Sequence, residues 1–230
     1  MNRQLALAVQ LNDEATFDEF CWGGNSLLQQ QLRLTLSGEG ERFIYLWGVA
    51  GSGKSHLLQA CCQAINPPRS AMYLPLKLLL EWGPTVLEGL DDQTLIALDD
   101  LEIVAGVALW EEAIFHLYNR VRDQGTASLI MAGTMPPHAS LIQLPDLRSR
   151  LSGGLVVQVP ELQDNDKIKS LRLYANKRGF DMPESVGQFL LSRCARNMHD
   201  LHALLNRLDE ASLRAQRRIT IPFVKHILDL

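Results

Sequence analysis

The eight residues Gly48-Val49-Ala50-Gly51-Ser52-Gly53-Lys54-Ser55 fit the spacing G-x-x-x-x-G-K-[ST]. Glycines in such a run let backbone N–H groups curl around an oxyanion with no Cβ in the way. Lys54 can then reach the β- and γ-phosphates of a nucleotide, and Ser55 can ligate Mg2+. The chemistry requires a buried strand before the loop and a helix after it, whose positive end faces the phosphates. Both flanks are present: Phe43–Trp47 is an apolar run ending in glycine, and a helical pattern starts at about Gly53 and takes in His56. A second apolar run, Leu95-Ile96-Ala97-Leu98, ends in Asp99-Asp100. An aspartate at the carboxyl end of such a strand lies beside the phosphate loop and can hold Mg2+ through water. Asp99 takes that role, and Asp100 is the candidate to orient an attacking water. A third run ends Met131-Ala132-Gly133-Thr134, which makes Thr134 a candidate contact to the γ-phosphate or the water. Leu147-Arg148-Ser149-Arg150 follows on a short helix, with Arg150 expected as an exposed cation far from its own phosphate loop.

Positioning these residues takes alternating strands and helices. A first helix is expected over 25–36, with Asn25 or Ser26 as its cap. Strands are expected at Phe43–Trp47, Ala71–Leu76, Thr94–Leu98, Leu129–Ala132 and Leu155–Val159. Helices are expected at His56–Ile65, stopped by Asn66-Pro67-Pro68, and at Leu109–Arg122. Strands alternating with helices imply a five-stranded parallel sheet covered on both faces. After Pro160 the period becomes helical throughout, over 164–178, 184–193, 197–215 and 222–229, with Asp164 and Asp166 where first-turn acids belong. The fold class is therefore α/β with a small all-helical domain after the sheet. The division reads as a tail at 1–14, a nucleotide-binding α/β domain at 15–160 and a helical domain at 161–230.

Composition sets outer bounds. The 230 residues are 47% apolar and 21% charged, which is ordinary globular usage. Cys21, Cys61, Cys62 and Cys194 show neither a C-x-x-C pair nor metal-ligand spacing, and read as small buried apolar residues. With no signal-peptide core and no membrane-length apolar stretch, a cytoplasmic protein is expected. The net charge of −4 is uneven, with 10 Lys+Arg against 17 Asp+Glu in residues 1–160 and 12 against 9 in residues 161–230. A basic helical end permits contact with nucleic acid or an acidic partner, and a solvated face accounts for it as well.

Taken together, these residues resemble the AAA+ module of the bacterial replication initiator DnaA. Thr16-Phe17-Asp18-Glu19-Phe20 is similar to the T-F-D-x-F segment that flanks the nucleotide base, which implicates Phe20. Leu98-Asp99-Asp100-Leu101 is similar to the Walker B segment, and Leu147-Arg148-Ser149-Arg150 to the box VII segment, whose last arginine is an arginine finger. Asn197-Met198-His199-Asp200-Leu201 and Leu204-Leu205-Asn206-Arg207 resemble the helix that carries sensor 2, with His199 where the initiator has arginine. One strand lies in sequence between the two motif strands, as in P-loop ATPases with an additional strand. The short length, together with Trp110–Arg120 and Ile219–Lys225, resembles the DnaA regulatory inactivator family, Hda. The expectation is a module without the initiator's helix-turn-helix domain.

That resemblance implies a negative regulator of replication initiation. It would promote hydrolysis of DnaA-bound ATP together with the DNA-loaded sliding clamp, supplying Arg150 in trans. Its own site would hold a nucleotide, ADP favoured, with Mg2+, and its own turnover would be weak or absent. A neutral imidazole at His199 cannot replace a fixed guanidinium at a γ-phosphate. Gln4-Leu5-Ala6-Leu7 is similar to the family's clamp-binding peptide, so Gln4, Leu5 and Leu7 are candidate partner contacts, while Ala8 departs from the pattern. A second copy of the chain is a further candidate partner, and direct DNA contact stays open. The alternative reading is an autonomous AAA+ ATPase that loads a helicase onto DNA. A P-loop small-molecule kinase is a third, disfavoured because the helical lobe follows the sheet rather than interrupting it.

Overall fold

The computed structural model describes residues 11–90, 92–194 and 197–228, the side chain of His199 excepted. Helix α1 (Ser26–Ser37) leads into a parallel sheet made of β1 (Phe43–Trp47), β2 (Ala71–Pro75), β3 (Leu95–Asp99), β4 (Ser128–Gly133) and β5 (Leu155–Gln158). The spatial order is β2-β3-β4-β1-β5, and every neighbouring pair is parallel. Strand β4 thus stands between β1, which feeds the glycine loop, and β3, which ends in Asp99. Helix α2 (Lys54–Gln63) follows the loop, α3 (Leu76–Leu79) follows β2, α4 (Ala108–Gln124) follows β3, and α5 (Pro145–Gly153) precedes β5.

Side-chain alternation sorts the strands onto two cores. Phe43, Tyr45, Ile96, Leu98, Leu129 and Met131 pack on one face with residues of α4 and α5. Ile44, Leu46, Leu95, Ala97, Ile130 and Ala132 pack on the other with α1 and α2. The central strands β3 and β4 are buried along their whole length, as a parallel sheet covered on both sides requires.

The observed elements differ from the expected ones mainly at their ends. Leu76 starts α3 instead of ending β2, and the following residues make short 3-10 turns at Leu80–Trp82 and Pro84–Leu87. Leu79, Val86 and Leu87 of this stretch are buried in the first core. Runs of three or four residues are too short to show a period, so this stretch is silent in sequence. The helix after the loop begins at Lys54, and α4 gains a residue at its start and two at its end. Asn25 stands at the N-cap of α1 without a side-chain capping bond.

The helical region after the sheet comprises α6 (Asp164–Lys177), α7 (Glu184–Arg193), α8 (Met198–Ala215) and α9 (Ile221–Leu228). These helices enclose a core of their own, with Ile168, Leu171 and Ala175 of α6 and Leu201, Leu205 and Leu208 of α8 at helical spacing. Among the described residues no helix is long and apolar enough to cross a membrane. Cys61 and Cys62 are buried and Cys21 and Cys194 half-buried, all as free thiols. Burial pushes the Cys62 thiol up to about 12, which suits a packing role.

Candidate nucleotide-binding site

The glycine loop turns where β1 ends, and its geometry leaves no room for larger residues. A Cβ on Gly48 would stand 2.3 Å from the Val159 carbonyl oxygen. Gly53 has φ +98°, and a Cβ there would meet the Phe20 ring at 2.6 Å. Lys54 begins α2 with its ammonium folded under the loop, donating to the carbonyls of Gly48 at 2.7 Å and Val49 at 3.0 Å. Burial lowers its pKa, and the carboxylates of Glu102, Asp99 and Asp100 oppose that shift. Ser52 Oγ is buried with no partner among the described residues. A buried hydroxyl, a buried ammonium and a curl of backbone amides at a helix N-terminus form a donor set that fits an oxyanion. Val49, Ala50 and Gly51 lie on the exposed side of the loop, and Ser55 is exposed on the first turn of α2.

The acidic arm sits at the carboxyl end of β3. Asp99 is 1% exposed. Its Oδ2 accepts from the Tyr73 hydroxyl at 2.7 Å and its Oδ1 from the Asp100 backbone N–H at 3.0 Å. Asp100 has φ 60°, a left-handed conformation that aspartate tolerates better than most residues. Its carboxyl is pushed up to about 6, first by burial and then by Asp99 and Glu102. Glu102 is a residue that sequence reasoning missed: its Oε2 is buried without a partner among the described residues. A Cβ on Gly133 would lie 3.7 Å from that oxygen, so the carboxylate faces the end of β4, where half-buried Thr134 follows. Tyr73 and Tyr45, also unforeseen, have hydroxyl pKa values raised by burial and by these carboxylates. Among the described residues no group of three or more His, Cys, Asp or Glu could hold a metal ion by itself.

A cleft of about 820 Å3 opens beside the loop. Residues Ala50–His56 form one wall, Phe20 and Cys21 a second, and Tyr174, Asn197, Met198 and His202 of the helical domain a third. The lead-in residues reach this wall because they are tied to α2: the Thr16 carbonyl accepts from His56 Nε2 at 2.8 Å, and Asn12 N–H donates to Gln59 at 2.8 Å. Phe20 packs edge-on against Trp22 and beside His56. Burial lowers the pKa of His56, so its imidazole serves as a neutral donor. Helix α8 arrives at the loop by its N-terminus. Asn197 caps it by accepting from the Asp200 N–H at 2.9 Å, and its Cβ lies 3.4 Å from the Cβ position of Gly51.

Arg150 lies outside the residues that line this cleft. It is half-buried rather than freely exposed, because its guanidinium lies over the Tyr118 ring, 5.9 Å from the centroid. Tyr118 in turn stacks on Phe43 at 4.2 Å. The side chain of His199, and Gln4, Leu5 and Leu7, lie outside the described residues.

Residues 164–228 match the family model described as "Hda, lid domain". Over the whole chain, domain III of the Thermotoga maritima replication initiation protein DnaA is similar, with a TM-score of 0.82, 22% identity, and 96% of this chain and 98% of that one covered. The chain thus has the fold of the DnaA AAA+ module, and its helical domain matches an Hda lid. Its fold is shared with AMPPCP-bound DnaA from Aquifex aeolicus, at TM-score 0.72 and 22% identity over 90% of this chain and 69% of that one. The Thermotoga maritima RuvB motor is more distant, at TM-score 0.67 and 14% identity over 94% of this chain and 71% of that one. The helical domain accordingly matches a lid of the Hda type, set after a sheet with the fold of the DnaA module.

Proposed function

We propose that this protein is a nucleotide-loaded regulator of replication initiation that promotes hydrolysis of ATP held by DnaA, supplying Arg150 in trans. The observation that carries the reading is the placement of Arg150. It is braced on Tyr118 of α4, away from the cleft of its own chain, in a protein whose lid matches the Hda model. An arginine delivered across a subunit interface neutralises transition-state charge and is worth about 10³–10⁵ in rate.

The protein's own cleft would hold an adenine nucleotide, as the Aquifex initiator holds AMPPCP. The phosphates would sit on the amides of Gly51, Gly53 and Lys54 and the Lys54 ammonium, with Phe20 and His56 toward the base. Bound Mg2+ would supply charge neutralisation at the phosphates. Ser55 and, through water, Asp99 would hold it, since each Asp99 oxygen has a lone pair beyond those used by Tyr73 and Asp100. With an imidazole at His199, the nucleotide favoured is a diphosphate, and it serves to hold lid and sheet together. Replacing Arg150 by alanine is expected to lower the rate of DnaA-bound ATP hydrolysis at least ~100-fold with clamp-loaded DNA present, while binding to DnaA persists. Full stimulation by Arg150→Ala, with binding intact, would sink the reading. The tail supplies the clamp contact: Gln4→Ala with Leu7→Ala should weaken binding to the sliding clamp, as measured by surface plasmon resonance, and equal affinity would refute it.

A second reading, an autonomous ATPase, has one observation in its favour. Asp100 lies near Lys54 with a carboxyl pKa of about 6, within the range of a general base. It requires measurable turnover by the isolated protein.

A further inference from the structure

The carboxylate of Glu111 is 2% exposed and lies outside the cleft. It is saturated by backbone N–H groups. Oε1 accepts from Gly106 at 2.6 Å and from Gln143 at 3.0 Å, and Oε2 accepts from Leu144 at 2.7 Å and Gln143 at 3.1 Å. Gly106 immediately precedes the N-cap of α4, and Leu144 is itself the N-cap of α5. One buried charge therefore sits between two helix N-termini, where unsatisfied amides and the helix dipoles both favour an anion. Neither helix has a side-chain cap of its own. Charge-assisted bonds of this kind are stronger than neutral ones.

The helix pinned in this way is the one that carries Arg150. Pro145 opens α5 and Arg150 is its sixth residue, about 9 Å along the axis from Leu144 at a rise of about 1.5 Å per residue. A tilt of about 10° at the pinned end would move residue 150 by about 1.5 Å, and a misplacement of about 1 Å in a catalytic group can cost about 100-fold. The far end of α5 is braced on α4 as well, through Arg150 over Tyr118. Helix α4 thus fixes α5 at both ends, with an anion at one and an aromatic face at the other.

We propose that Glu111 is a positioning residue for Arg150: by tying the N-termini of α4 and α5 to one buried carboxylate, it sets the direction in which the arginine is presented to a partner's ATP. This rests on the reading of Arg150 as the trans-acting arginine. The test compares Glu111→Gln, Arg150→Ala and the double variant in full-length protein, measuring hydrolysis of ATP bound to DnaA with clamp-loaded DNA. The exposed neighbour serves as control through Glu112→Gln. Hydrogen exchange at Gly106, Gln143 and Leu144 reports the strut independently of activity.

The expected result for Glu111→Gln is faster exchange at those three amides and a loss in kcat of about 10- to 100-fold. KM for DnaA should be unchanged, and the double variant should be no worse than Arg150→Ala alone. Normal kcat in Glu111→Gln beside a defective Arg150→Ala would overturn the proposal and leave the arginine reading standing. A double variant well below Arg150→Ala would also overturn it, since Glu111 would then act by another route. A fully active Arg150→Ala would remove the arginine reading and this proposal with it. Where Glu111→Gln fails to fold, Glu111→Asp keeps the charge one methylene shorter and is expected to show the same loss in milder form. Wild-type kcat in Glu111→Asp together with exposed amides would count against the proposal.

Discussion

Asp100 carries two costs in this fold. It adopts φ 60°, and its carboxyl is pushed from 3.8 up to about 6, first by burial and then by Asp99 and Glu102. The sign of the consequence follows from proton linkage. Between about pH 4 and 6 the folded chain binds the Asp100 proton more tightly than the unfolded chain does, so this group's contribution to stability falls as pH rises through that window and is lowest above it. An asparagine in its place would retain the short polar side chain that tolerates a left-handed backbone and would carry no charge. Asp100→Asn should therefore raise Tm at about pH 8 and change it little at about pH 4, at which the native residue is already protonated. Thermal scans at the two pH values check this. An equal gain at both would mean that conformation and not charge is responsible. If the site has any turnover of its own, the same variant should abolish it.

At the scale of elements, the cap of α8 couples lid stability to the phosphate loop. Asn197 caps α8 with its side chain, accepting from Asp200 N–H at 2.9 Å, and its amide also donates to the Asp200 carboxylate at 2.7 Å. Losing a cap of this type costs about 1 kcal/mol. Asn197→Ala should show that loss in denaturant unfolding, and nucleotide should recover part of it if the α8 N-terminus faces bound phosphate.

The helices and strands that position the site were legible because their apolar residues recur with a clear period, and the glycine loop because its chemistry is local to eight residues. The positioning groups were not legible. Glu111 stands in the run Trp110-Glu111-Glu112-Ala113, in which one glutamate is buried and the next exposed, and nothing local distinguishes them. Only the return of residues 143–144 to α4 makes Glu111 a strut. Glu102 and Tyr73 are set by strand order in the same way, since β2 and β3 must be neighbours before Tyr73 can reach Asp99. Arg150 was singled out by its motif, but its bracing on Tyr118 depends on how α4 and α5 cross. The path of residues 12–24 over α2 carries no periodic signal at all.

At the scale of the whole molecule, those residues form a strap joining sheet and lid across the mouth of the cleft. On the sheet side they are tied to α2 through Asn12 and Thr16. On the lid side Lys177 of α6 pairs with Glu19 at 2.6 Å, and Arg178 approaches Glu14 at 3.9 Å. Cys21 Sγ also lies 3.8 Å from the Asp166 carbonyl. Phe20, which packs on Gly53, lies between the two sets of ties. Exposed ion pairs contribute roughly 0–1 kcal/mol each, so breaking one should leave the fold intact while loosening the lid. Glu19→Lys is therefore expected to raise the nucleotide dissociation rate several-fold, with little change in Tm for the ligand-free protein. The reciprocal change Lys177→Glu should do the same, and the double exchange should restore the slow rate because the pair is re-formed with reversed sign. Stopped-flow release of a fluorescent adenine nucleotide measures all three. Additive losses in the double exchange would show that Glu19 and Lys177 act separately and that the strap does not join lid to sheet through this pair.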